Sequence, residues 1–269
     1  MAKAKKKTSP TLLIDGDMAV YKATISAERE VRWSEDPDSD LWILWTDLAR
    51  AKLWFENHIY RLEQQTGASG SVIFLSGSTN FRKDIYPEYK ANRADKRKPL
   101  GFTEFRGWVM DNFAHHLTDG IEADDAMGIA ATDKTFSNPV IVSDDKDLQQ
   151  IPGYLLRQGD VVHITPASAN FYFLLQVLMG DATDNYPGCP GIGPKKAHDA
   201  LMKSPTWDTV LGLYEKAGLT LADAVLQARI ARILQAEDWD NINQKVKLWN
   251  PSSKMAISYP KGKSPTKIL

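Results

Sequence analysis

Pro139-Val-Ile-Val-Ser143-Asp-Asp145-Lys-Asp147-Leu148 is a short apolar run that stops on a cluster of acids. The run has the length and β-branched content of a buried strand, and the acids begin a short helix that Pro152-Gly153 stops. The same arrangement recurs along the chain. Leu12-Leu-Ile14 ends on Asp15, and Gly16 permits a tight exit. Glu122-Ala-Asp124-Asp125 opens a predicted helix to Thr132, with acids in the first turn where the helix dipole favours them. Asp181 and Asp184 follow a helix-like run from Phe171 to Met179. Carboxylates placed at the strand ends of an α/β sheet point into one cleft.

Strands at 12–15, 71–75 and 139–143 alternate with helices, which predicts an α/β fold with a parallel, doubly wound, twisted sheet and helices on both faces. A further strand is expected at Val161–Ile164. Apolar residues Leu41, Leu44, Trp45, Leu48, Leu53, Phe55, Ile59 and Leu62 keep close to a helical period, so 41–65 is read as one helix. Residues 102–117 are aromatic-rich and read as helical, and 76–100 as a mobile basic connection with short helical pieces. From 168 to about 248 the pattern is helical, broken at 185–193. The expected organisation is a basic disordered tail at 1–10, a catalytic domain at 11–167, a helical region at 168–250 and a loose tail at 251–269.

The composition, 43% hydrophobic and 25% charged over 269 residues, is that of an ordinary globular protein. A single cysteine, Cys189, excludes an intrachain disulfide. No apolar run reaches the ~20 residues that span a bilayer, and the run after the basic N-terminus is too short for a signal peptide. The expectation is a soluble intracellular protein. The net charge of −1 argues against a polyanionic partner, but its distribution argues for one. Arg82–Lys98 holds seven basic residues against three acidic ones, a local excess of four, and the acids elsewhere include the cluster.

N-capping accounts for one acid per helix. It does not account for Asp15, Glu122, Asp124, Asp125, Asp145, Asp147, Asp181 and Asp184 together. So many like charges cannot sit together unpaired. Oxygen-only ligands suit a hard cation, Mg²⁺ or Mn²⁺. Glycines 191 and 193 flank Ile192 just before a helix, and the backbone N–H groups of such a hairpin can hold a phosphate; Lys195 and Lys196 add charge. The alternative is an ordinary Gly/Pro turn. In Phe81-Arg82-Lys83…Tyr86-Pro-Glu-Tyr89-Lys90-Ala-Asn-Arg93, Lys90 and Arg93 lie three apart and can clamp one phosphate group, while Tyr86 and Tyr89 can stack on bases or simply pack.

Taken in order, these strings resemble the 5′-nuclease superfamily: flap endonucleases, the 5′-nuclease domains of bacterial DNA polymerase I, and above all the 5′→3′ exonucleases of short-tailed phages. The resemblance spans about 11–250. It implies a PIN-like fold with an arch region at about 80–118 and a helix–three-turn–helix DNA-binding element. It implies hydrolysis of DNA, and of RNA in RNA–DNA hybrids, to 5′-phosphate products in replication and DNA degradation. Carried over residue by residue, Asp15, Glu122, Asp124 and Asp125 become one metal zone and Asp145, Asp147, Asp181 and Asp184 the other. Lys90 and Arg93 become catalytic cations. Arg82, Lys83, Tyr89, Gly191, Gly193, Lys195 and Lys196 become DNA contacts. Two or more Mg²⁺ or Mn²⁺ ions are implied, with K⁺ at the helix–three-turn–helix. So are duplex, flap and gapped substrates, a monomeric state, replication proteins as partners, no membrane, and the cytoplasm of a bacterial host. One departure is plain: the family has an acid shortly after the second strand, where this chain reads Phe74-Leu-Ser76-Gly-Ser78, which leaves Ser76 coordinating through water, a weaker first metal, or Asp17 as a substitute.

Two rivals remain on sequence. Leu12-Leu-Ile-Asp15-Gly-Asp17 matches the nucleophile motif of haloacid-dehalogenase-type phosphatases, with Asp15 phosphorylated and Asp17 the general acid. That reading leaves Tyr89-Lys-Ala-Asn-Arg93 and the 180–197 string without a role. A non-catalytic duplex-binding protein is the other.

Overall fold

A computed structural model describes residues 9–33 and 40–251. The expected tails at 1–10 and 251–269 lie almost wholly outside them. The chain runs β1 (Thr11–Asp15), α1 (Gly16–Ala27), β2 (Glu28–Arg32), β3 (Trp42–Thr46), α2 (Leu48–Thr66), β4 (Gly70–Ser76) and α3 (Phe81–Ile85). It continues through α4 (Phe102–Asn112), β5 (His115–Thr118), α5 (Ala123–Thr132), β6 (Pro139–Val142), β7 (Gly153–Arg157) and β8 (Asp160–Ile164). The last elements are α6 (Pro166–Met179), α7 (Pro194–Lys203), α8 (Trp207–Lys216), α9 (Leu221–Ala231) and a small ladder of β9 (Trp239–Asp240) with β10 (Lys245–Val246).

Strand β1 lies in the middle of a six-stranded sheet ordered β5-β4-β1-β6-β7-β8, parallel except for the antiparallel edge strand β8. Its three apolar residues are buried because both faces of the sheet are covered. Leu12 and Ile14 pack with Ile73, Leu75, Val140 and Val142 under α1, α2 and α4. Leu13 packs with Phe74 and Ile141 under α5. Helix α6, buried from Phe171 to Leu178, centres a separate core with α7, α8 and α9.

Several expectations are corrected. The helix expected at 41–65 is two elements: Trp42–Thr46 is a strand, and Asp47 caps α2 by accepting from the Arg50 N–H at 3.0 Å. Trp-Ile-Leu-Trp satisfies a helical period, but its aromatic and β-branched content suits a strand, and β2 pairs with it. The helix expected at 102–117 stops at Asn112, and His115–Thr118 joins the sheet beside β4. Helix in the C-terminal region ends at Ala231 rather than near 248. Helix α1 and strand β7 are additional elements.

Candidate active site

The C-terminal ends of β1, β4 and β6 and the N-terminus of α5 open on one side of the sheet. Asp15 caps α1, accepting from the Met18 N–H at 3.0 Å, and its other oxygen accepts from the Ser143 hydroxyl at 2.7 Å. Asp145 caps the 3₁₀ turn Lys146–Gln150, accepting from the Asp147 N–H at 2.8 Å. Its own N–H donates to Ser143 at 3.0 Å, so one serine ties the two acids together. Asp145 is thus a cap, as expected for one acid per helix, whereas α5 is capped by Glu122 and not by Asp124.

Asp124, in the first turn of α5, feels the charges of both Asp15 and Asp145, and burial together with those charges holds its carboxyl well above the ordinary range. Burial likewise pushes Asp15 up to about 6, with Asp17 and Asp145 adding to the rise against hydrogen bonds from Met18 and Ser143. Asp147 is raised to about 7 by burial and then by Asp145. Asp181 and Asp184 also bear on Asp147. The cluster is thus one chain of like charges: Asp15, Asp124, Asp145, Asp147, then Asp181 and Asp184.

Cationic side chains border it. Lys90 donates to Glu122 at 2.5 Å and lies 3.6 Å from Asp184. Arg93 pairs with Asp184, and Lys146 lies 2.7 Å from Asp181. Burial opposes ionisation of Glu122, but Lys90 and Arg82 outweigh it and hold the carboxyl down at about 2. The Tyr89 hydroxyl lies 2.8 Å from Glu122 and 3.0 Å from Asp184, joining α5 to the 181–185 segment. Three further bonds tie residues 88–92 to 182–185: Lys90 N–H to Asp184 O at 2.9 Å, Asn92 to Ala182 O at 2.9 Å and Asn185 to Glu88 O at 2.8 Å. Lys90 itself has φ 56, a left-handed conformation costly for a side-chain residue.

The structure separates some predicted residues from this cluster. Asp125 is fully buried, and its oxygens accept two N–H groups of Arg82 at 2.6 and 2.8 Å, plus Leu234 N–H at 3.0 Å and Glu122 N–H at 3.1 Å. Every lone pair directed at a neighbour is used, so Asp125 is placed in a structural ion pair rather than beside Asp124. Helix geometry explains it: adjacent residues point about 100° apart. Arg82, 1% exposed, also donates to the carbonyls of Ile230 and Arg232 and is placed out of reach of DNA. Tyr89 is buried and is not free to stack on a base. Lys83 remains exposed.

Ser76, where the family's acid is missing, donates its N–H to Asp17 at 3.1 Å, and its hydroxyl accepts from Ala123 N–H at 3.0 Å. Asp17 therefore does reach the end of β4. Sequence reasoning missed Ser143 and Gln176. The latter donates to Asp147 at 2.5 Å, and a lone amide inside the apolar run of α6 was the signal. Lys146, between Asp145 and Asp147, carries no sequence signal for its pairing with Asp181.

Past α6, Gly180 and Gly188 meet so closely that a Cβ on Gly188 would sit 2.2 Å from the Gly180 nitrogen. This closes the loop that carries Asp181 and Asp184. Gly191 and Gly193 are exposed and a Cβ on either would meet no atom within 4 Å, Pro194 begins α7, Lys195 and Lys196 are exposed in its first turn, and the Lys196 ammonium donates to the Gly191 carbonyl at 3.0 Å.

Among the described residues no three His, Cys, Asp or Glu side chains are arranged to hold one metal ion. The donor chemistry nevertheless fits a hard divalent cation. The set is all oxygen, and Asp15, Asp124 and Asp147 resist ionising until positive charge is brought near.

Residues 10–166 match the family model for the 5′-3′ exonuclease N-terminal, resolvase-like domain. The chain is 29% identical to the exodeoxyribonuclease of Enterobacteria phage T3, covering 90% of this chain and 93% of that protein. It is 29% identical to the exonuclease of Escherichia phage T7, covering 89% and 93%. Among solved structures, the flap endonuclease of bacteriophage T5, in a pseudo-enzyme-product complex with DNA and metal ions, shares the fold at a TM-score of 0.59 and 16% identity over 83% of this chain and 93% of that one.

Proposed function

The chain belongs to the 5′-3′ exonuclease family, and from that premise we propose that it is a divalent-metal-dependent 5′→3′ exonuclease and flap-type endonuclease hydrolysing DNA phosphodiester bonds. The observation that carries the reading is Asp124 lying within the fields of Asp15 and Asp145 where the central strands end. Family membership leaves no ground for the phosphatase reading.

Asp15, Asp124 and Asp145 would hold one cation, and Asp147, Asp181 and Asp184, with Asp145 between the groups, a second. Glu122 would act from beside the first zone. Bound there, Mg²⁺ or Mn²⁺ would supply activation of water at neutral pH and charge stabilisation for the leaving oxygen. Lys90 and Arg93 sit against those carboxylates and offset charge on the scissile phosphate. The Lys90 N–H bond to Asp184 O at 2.9 Å and the Arg93 Nε bond to Thr183 O at 3.2 Å hold them in position. Ser143 and Gln176 orient Asp15 and Asp147. Cleavage of the P–O3′ bond leaves a 5′-phosphate and a 3′-hydroxyl.

The Gly191–Gly193 turn and the start of α7 would form the duplex grip of a helix–three-turn–helix, with backbone N–H groups for phosphates and Lys195 and Lys196 adding charge, and K⁺ would be held there. Lys83 adds a contact near the cleft. Substrates are duplex, gapped and flap DNA and RNA–DNA hybrids, and the protein acts as a monomer beside replication proteins in the host cytoplasm. Among the described residues no helix is long and apolar enough to cross a membrane.

The test is hydrolysis of 5′-labelled duplex, flap, gapped and hybrid substrates with Mg²⁺. Wild type should release 5′-phosphorylated products, and Asp145→Asn with Asp147→Asn should not. Undiminished cleavage by the double variant refutes the assignment. Tight binding without turnover by wild type favours the non-catalytic reading.

A further inference from the structure

Two buried glutamines stand between Asp147 and the helical region. Gln150 ends the 3₁₀ turn that carries Asp147, and Gln176 lies in α6; each is 1% exposed. The neighbours of an enclosed amide decide which end is oxygen and which is nitrogen. Ile233 N–H can only donate, so the atom it meets at 3.0 Å is the Gln150 oxygen. Ala231 O can only accept, so the atom 2.7 Å from it is the Gln150 nitrogen. That nitrogen also donates to Gln176, whose facing atom must be its oxygen. The Gln176 NH₂ is thereby turned the other way, and it donates to a carboxylate oxygen of Asp147 at 2.5 Å. Polarity runs in one direction, from the backbone of 231–233 through two amides to Asp147.

The backbone at the origin of that chain is held from two sides. Ile230 O and Arg232 O accept from Arg82 at 2.9 and 2.5 Å, and Leu234 N–H donates to Asp125 at 3.0 Å. Residues 230, 232 and 234 thus serve the Arg82–Asp125 pair, and 231 and 233 serve Gln150. All five are buried. Ile230 and Ala231 belong to the core built on α6, Ile233 and Leu234 to the core under α5. The strap at the end of α9 is therefore common to both cores, and its position is fixed by the same bonds that orient Gln150.

We propose that Gln150 is a positioning residue for the metal zone of Asp147: held by the strap, it fixes the Gln176 amide so that NH₂ and not oxygen meets the carboxylate, and through it the helical region sets Asp147. A Gln176 turned the other way would put oxygen against carboxylate, two buried acceptors with no donor between them. Outer partners of this kind orient ligating carboxylates and are worth about 10–100-fold in metal affinity or activity. The inference rests on the reading of Asp147 as a metal ligand in a DNA nuclease.

The test compares Gln176→Met, Gln150→Met and the double variant of the full chain, well below each melting transition. Mn²⁺ affinity is read by calorimetry without DNA, and kcat and KM on 5′-labelled duplex with Mg²⁺. Each single variant should weaken Mn²⁺ binding and lower kcat by about tenfold or more, with KM for DNA within about twofold. The double variant should be no worse than Gln176→Met, because Gln150 acts through Gln176. Gln150→Glu keeps an acceptor for Ile233 N–H but offers Gln176 an acceptor in place of a donor; it should turn that amide and match Gln176→Met, and it serves if Gln150→Met does not fold. Gln176→Met takes no partner from the strap, so wild-type Mn²⁺ affinity and kcat in it alone overturn the proposal. Losses that multiply in the double variant also overturn it, since Gln150 would then act by another route. Failure of wild type to cut duplex with Mg²⁺ would instead refute the nuclease reading, and the Mn²⁺ comparison would still judge the positioning.

Discussion

Asp125→Asn separates a structural carboxylate from a metal ligand. Asp125 is fully buried against Arg82, itself 1% exposed, through bonds of 2.6 and 2.8 Å. Asparagine keeps one oxygen acceptor but brings an NH₂ group against the guanidinium, Leu234 N–H or Glu122 N–H, all donors. Only Glu122, 3.6 Å away, remains to offset the Arg82 charge. Removing one partner of a buried pair costs about 3–5 kcal/mol, a large part of a total stability of roughly 5–15 kcal/mol. With a urea slope of about 3 kcal/mol per molar, the midpoint should fall by about 1 M or more. The assay is urea unfolding followed by fluorescence and circular dichroism, with activity measured well below the transition. Folded Asp125→Asn should keep the wild-type Mg²⁺ dependence. A wild-type unfolding midpoint combined with a raised Mg²⁺ requirement would refute the reasoning and return Asp125 to the ligands.

Gly188→Ala places a Cβ 2.2 Å from the Gly180 nitrogen at φ 65, so it should destabilise the protein by about 3 kcal/mol or more and depress cleavage through the Asp181–Asp184 loop, as read by thermal unfolding and turnover. Asp15 and Asp147 rise from 3.8 to about 6 and about 7, so they ionise at lower pH in the unfolded chain than in the folded one. Stability of metal-free protein should therefore fall as pH rises from about 4 towards 7, by about 3 kcal/mol for Asp15 alone. Mg²⁺ should reverse the loss in melting curves recorded across that range. Tyr89→Phe removes a hydroxyl shared by Glu122 and Asp184, and turnover should fall several-fold with little change in duplex affinity.

The sheet was legible because β1, β4 and β6 are buried on both faces and read as unbroken apolar runs. Strand β7 was not, since Pro152-Gly153 reads as a stop and Gly153-Tyr-Leu-Leu-Arg157 is too short to show a period. Strand β3 was lost to its tryptophans, whose spacing also satisfies a helix. In the site, acids at the ends of apolar runs were visible and are brought together around Asp145. Which of two adjacent acids faces the cluster was not visible, because it depends on the azimuth of α5 and on an arginine from another element. Arg82 and Tyr89 carry the chemistry of DNA contacts, and only burial removes them from that role. The tie between 88–93 and 181–185 is long-range, and no local pattern announces it.

The central claim is that Asp15, Asp124 and Asp145 share a cation. Anomalous diffraction from crystals of the full chain grown with Mn²⁺ tests it directly. An anomalous peak is expected within coordination reach of those three carboxylates and none at Asp125. A peak at Asp125, or Mn²⁺ bound only at remote surface acids, would contradict it.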